Sequence, residues 1–134
     1  MRKYVFNDLD TNQFAQVVAG TNEGFHEIWW FYCSSGSTTI DRYVIYNYLE
    51  KIWYYGTLAR TAWLDSGLRD KPLAATYDLN LVDHEEGIDD NVGSSAAAIT
   101  AYVESSDFDI GDGDRFSLVN RVVPDASFDG STAD

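Results

Sequence analysis

Residues 83–91, Asp83-His84-Glu85-Glu86-Gly87-Ile88-Asp89-Asp90-Asn91, gather one histidine and five acids within nine positions. These are metal-ligating types. Neighbouring residues on an extended chain point to opposite faces, however, and the other histidine, His26, is far off in sequence. The segment reads as a solvated acidic loop or edge. A second cluster, Asp107-x-Asp109-x-Gly111-Asp112-Gly113-Asp114, invites a calcium reading, because hard cations need several oxygens on a tight loop. Its spacing departs from the helix-loop-helix calcium pattern. Gly111 takes the fifth position and Leu118 the twelfth, where a glutamate would stand. Asp and Gly are also what an ordinary turn uses, and a turn is the reading preferred here. Cys33 is the only cysteine, so the sequence offers neither an intrachain disulfide nor a paired-cysteine metal site. At the end of an aromatic run it reads as a small buried residue rather than a nucleophile. Nothing resembles a Gly-x-Ser-x-Gly nucleophile elbow. Carboxylates abound, but none is singled out as a hydrolytic pair. The expectation is a non-enzymatic protein without catalytic residues, cofactor or metal.

Trp29, Trp30, Trp53 and Trp63, with nine tyrosines, could stack on sugar rings. Aromatic residues at strand positions more often fill a β core, and that reading is preferred. Arg60 sits in the apolar setting Leu58-Ala59-Arg60-Thr61-Ala62-Trp63. There a guanidinium pairs with a carboxylate or stacks on a ring, and Asp41, Glu50 and Asp65 are the candidate partners.

The bulk properties narrow the function classes. The 134 residues carry nine Lys/Arg against 22 Asp/Glu, a net charge of −13. Residues 1–67 account for −2 and residues 68–134 for −11. Such a surface repels phosphate backbones and disfavours ordinary DNA binding. Hydrophobic residues make up 45%, enough for a packed core. No apolar run reaches the length of a membrane-spanning helix, and the first residues lack the apolar stretch of a secretory signal.

The elements that must position these residues follow a period of two. Residues 27–33 form a short aromatic, β-branched run and read as a buried strand. A Ser/Thr/Gly loop follows, then a strand over 41–48. A turn over 47–51 leads into 52–56, and 57–63 is a further extended candidate. Residues 72–77 and 79–82 pair across Asp78. In the second half, 98–105 and 115–123 read as strands, the latter stopping at Pro124, and 125–134 is a polar tail. Residues 10–16 could make one helical turn with Asp10 as cap, and 94–98 could begin another. Short strands joined by turns about every ten residues predict an all-β fold of antiparallel strands.

The Tyr-turn-Trp layout from Asp41 to Trp53 suits a propeller blade. At roughly 40–50 residues per blade, the chain holds two to three, too few to close a ring alone. Four stretches carry a family likeness: Val18-Ala19-Gly20-Thr21-Asn22-Glu23-Gly24-Phe25-His26-Glu27-Ile28-Trp29-Trp30-Phe31-Tyr32; Asp41-Arg42-Tyr43-Val44-Ile45-Tyr46-Asn47-Tyr48-Leu49-Glu50-Lys51-Ile52-Trp53; Leu58-Ala59-Arg60-Thr61-Ala62-Trp63; and Glu104-Ser105-Ser106-Asp107-Phe108-Asp109-Ile110-Gly111-Asp112-Gly113-Asp114. Over about residues 4–130 the chain resembles the C-terminal propeller region of short-tailed phage tail-nozzle or tail-hub proteins, the packaged-DNA stabilisation type. That resemblance implies one all-β unit, part of a larger propeller, in the tail of the virion. It implies a six-fold ring of copies below the portal and adaptor, and a channel through which DNA passes without specific binding. The runner-up expectation is a non-catalytic tail module that binds a host glycan.

Overall fold

The computed structural model describes residues 1–87, 89, 90, 97–99, 101, 102, 104, 118, 120, 121 and 123. The chain divides into two compact units, Met1–Gly87 and Ile88–Asp134. In the first, a short helix α1 (Arg2–Asp8) and a 3-10 turn (Thr11–Gln16) precede strand β1 (Val18–Asn22). Strands β2 (Glu27–Tyr32), β3 (Arg42–Asn47) and β4 (Ile52–Thr57) complete a four-stranded antiparallel meander in the order β1-β2-β3-β4. Strands β5 (Ala62–Leu64), β6 (Leu73–Ala75) and β7 (Leu81–Asp83) form a second, three-stranded antiparallel meander. In the second unit β8 (Asp89–Asp90) pairs with β9 (Ala97–Ala98). The all-β, antiparallel expectation is met among the described residues. They contain two successive meanders and no closed propeller or barrel.

Several sequence expectations are corrected in detail. Between β4 and β5, residues 58–61 lie outside any strand, so 57–63 is not one extended element. The chain must turn there to start a second sheet. Ala97 and Ala98 are strand, not helix start. Ile99, Ala101, Tyr102, Glu104, Leu118, Asn120, Arg121 and Val123 are not strand. The remaining positions of 98–105 and 115–123, the Asp107–Asp114 cluster and the 125–134 tail lie outside the described residues. The sequence reading does not anticipate α1, β1 or the 3-10 turn Glu23–Phe25 between β1 and β2. The Asp10 cap is present: its carboxylate accepts from the backbone N–H of Asn12 at 2.9 Å.

Strand pleating sorts the first sheet into two faces. Val18, Gly20, Trp29, Phe31, Tyr43 and Ile45 share one, as their cross-strand pairs show. Trp29, Phe31, Cys33, Ile40 and Ile45 are its buried core, with Val18, Tyr43, Leu58 and Trp63 packed against them. Trp63, from β5, lies across this face. Its indole stacks on Trp29 with ring centres 4.9 Å apart and planes 19° from parallel. The indole N–H donates to the Thr21 carbonyl at 2.6 Å. Trp63 fits only because β1 carries a glycine beneath it. A Cβ on Gly20 would stand 2.2 Å from the Trp63 ring. Asp65 then pins the end of β5 to the end of β1, accepting from the Glu23 backbone N–H at 2.7 Å. On the far side, Tyr77 after β6 accepts from the Ile40 N–H at 2.8 Å, holding the second meander to the β2–β3 loop.

A rigid indole above Gly20 cannot swing aside as a lysine would. Gly20→Ala is therefore expected to destabilise the fold by about 1–3 kcal/mol, a typical overpacking cost. Thermal unfolding followed by near-ultraviolet circular dichroism, which reads the stacked indoles, is the check. An unshifted transition would mean that Trp63 does not depend on that gap.

Candidate functional site

The structure divides the four tryptophans into two pairs. Trp29 and Trp63 are in the core just described. Trp30 and Trp53 point to the opposite face, because each is one residue out of step with Trp29 or paired with Tyr46. On that outer face Trp53 packs on Tyr46, with centres 4.6 Å apart, and Trp30 approaches Trp53 at 6.1 Å. Trp53 remains 46% exposed. Helix α1 covers the other half of this face. Tyr4 packs on Tyr55 with ring centres 4.4 Å apart and planes tilted by 43°, and one turn later Asp8 accepts from the Tyr32 hydroxyl at 3.3 Å and meets Arg42 at 3.4 Å. Burial, then the Asp8 charge, pushes the Tyr32 phenol well above its ordinary value. What remains is an uncharged aromatic strip in which exposed Trp53 lies beside half-buried Trp30 and Tyr46. The two-residue period was legible in the sequence. Which tryptophans would be covered depended on Trp63 and α1, both placed by contacts distant along the chain.

The polar candidates are drawn into separate structural tasks. His84, Glu85 and Glu86 do not converge. His84 Nε2 accepts from Arg60 Nε at 2.9 Å, and its ring lies 4.6 Å from that of Trp63. An imidazole that accepts there carries its proton on the other nitrogen. Arg60, only 7% exposed, also donates to the Ala59 carbonyl. Of the acids considered for it, Asp41 binds the Ser34 N–H and hydroxyl at 2.8 and 2.6 Å, and Asp65 binds β1. Glu86 pairs with Lys71 at 3.2 Å, and Asp83 with Arg69. Glu85 adopts a left-handed backbone, φ 59°, and turns its carboxylate toward buried Asn22, from which it accepts at 3.0 Å. Partial burial and the charge of Glu27 push this carboxyl up, and the Asn22 hydrogen bond works against them. His26 has φ 60° and meets Tyr48 edge-on at 5.6 Å.

Cys33 is buried, and burial followed by the charges of Asp41 and Asp10 raises its thiol above the ordinary value. That is the setting of an inert packing residue. Among the described residues no group of three or more His, Cys, Asp or Glu is placed to hold a metal ion, and no helix is long and apolar enough to cross a membrane.

The raised Glu85 carboxyl has a definite consequence. A group whose folded value lies above its unfolded one opposes folding where it is ionised, and that penalty fades as pH falls through the raised folded value and is gone below 4.5, the ordinary glutamate value. Glu85→Gln keeps the acceptor for Asn22 and removes the charge facing Glu27. It is expected to raise Tm at pH 7 by about 1–3 °C, with the gain disappearing near pH 4. A gain independent of pH, measured by calorimetry, would refute the electrostatic cause.

Comparison with known proteins finds no matching family model, no matching curated protein and no matching solved structure.

Proposed function

We propose that the chain is a structural component of a short-tailed phage tail nozzle or hub. In this reading its copies help line or cap the DNA exit channel and retain the packaged genome. The four stretches that resemble that family support it. The structural observation that supports it is the succession of two antiparallel meanders, joined where Trp63 of the second stacks on Trp29 of the first. Propeller blades are meanders of this kind, arrayed side by side. The mechanism is electrostatic. A wall with net charge −13 repels the DNA backbone and lets it slide. Three acids of the 83–90 cluster hold internal partners instead: Asp83 on Arg69, Glu86 on Lys71 and Glu85 on Asn22. Reversing them would disturb the fold as well as the field. Asp70 and Asp78, exposed in the turns of the second meander, are the better probes.

The test uses purified particles of the phage that encodes this chain. An antibody against residues 1–87 should label the tail in electron micrographs, and Asp70→Lys with Asp78→Lys should slow genome ejection while tails still assemble. Absence of the chain from purified particles would overturn the assignment. Normal ejection from assembled variant tails would overturn the mechanism.

A second reading, a glycan-binding module, is favoured by the aromatic strip of Trp30, Tyr46 and Trp53, since aromatic faces stack on the C–H faces of sugar rings. The chain's charge points to neutral polysaccharide. Binding on a glycan array, reduced at least about tenfold by Trp53→Ala, is the expected result, because removing one stacking aromatic costs on the order of 1 kcal/mol or more. An array with no response would dispose of this reading.

A further inference from the structure

Strand β4 is the open edge of the first sheet. At the opposite edge, β1 is already engaged by Trp63 and Asp65. Among the described residues no strand pairs with the outer side of β4. Its side chains are exposed on both faces: Ile52 45%, Trp53 46%, Tyr54 41% and Tyr55 42%. Exposed edges in soluble proteins are normally guarded by a charge, a proline or a bulge. β4 has none. Its six residues pair with β3 in unbroken register, and no charged residue or proline occurs between Lys51 and Arg60. In a chain of net charge −13, an edge strand with no charged residue lets two copies pair along it without setting like charges opposite each other.

We infer that β4 is an interface between two copies of this chain, paired antiparallel along their β4 edges about a two-fold axis. Side-chain chemistry selects the register. With Tyr54 facing Tyr54 of the second copy, Trp53 meets Tyr55, an aromatic cross-strand pair, and Thr57 meets Lys51. Centring on Tyr55 would set Trp53 against Thr57 instead. The contact is isologous and closes on two copies. The proposal stands independently of the tail assignment.

Sedimentation equilibrium of the whole chain across micromolar concentrations is the test. The wild type should dimerise. Tyr54→Lys and Tyr54→Glu should each weaken the dimer about tenfold or more by placing like charges together at the axis, and an equimolar mixture of the two should restore it. Thr57 supplies a second, milder probe at the strand end. Thr57→Glu, opposite Lys51, should tighten the dimer, and Thr57→Lys should weaken it. A monomeric wild type, charged variants that dimerise as it does, or folded Lys and Glu variants whose mixture stays monomeric would each overturn the proposal.

Discussion

The stacking of Trp63 on Trp29 over Gly20 is the constraint from which the rest of the first unit follows. A meander of four strands has two faces, and neither is stable bare. Trp63 supplies the cover for one of them, and its indole N–H closes on a backbone carbonyl of β1, so the largest apolar side chain of the second meander arrives with its polar atom satisfied. Phe31, fully buried beneath, and His84, held by Arg60 beside the indole, take their positions from that lid. The second meander has strands of three residues each. Such strands are too short to stand alone in water, and they are ordered because Trp63, Asp65 and Tyr77 tie them to the larger sheet.

The acidic character of the chain is also less uniform than a net charge suggests. Asp8, Asp10, Asp41 and Asp65 are structural acceptors: they tie α1 to the sheet, cap a helical turn, close the β2–β3 loop and dock β5. Asp83 and Glu86 neutralise Arg69 and Lys71. Strand β4 itself carries no charged residue.

Much of the first meander was legible in the sequence, because its strands announce themselves locally. Glu27–Tyr32 is an aromatic, β-branched run. The hairpin between β3 and β4 is written in Asn47, whose side-chain oxygen accepts from the N–H groups of Leu49 and Glu50, and in the turn it makes. β1 is hard to read locally because Ala19, Gly20 and Asn22 dilute the β propensity of Val18 and Thr21. Its strand identity comes from the partner, and its glycine makes sense only once Trp63 is above it. The short helix α1 is fixed likewise by Tyr4 on Tyr55, a contact 51 positions apart in the chain. For Arg60 the sequence offered a carboxylate or a ring as partner; His84, which reads as part of a solvated loop, accepts from its Nε.

The order of the strands has a bearing on how the protein comes into being. In the first sheet each strand pairs with the one before it, so every pairing closes a short loop and can form as the chain emerges. The Trp29 face is complete by residue 57 and must wait for Trp63, the two being 34 positions apart. During that interval a hydrophobic sheet is built but unroofed. It is the stage at which a growing chain is most open to chaperone capture or to capping by the wrong side chain. Asn22 and Thr21, already in place on β1, offer the polar anchors that make docking of the second meander selective when it arrives.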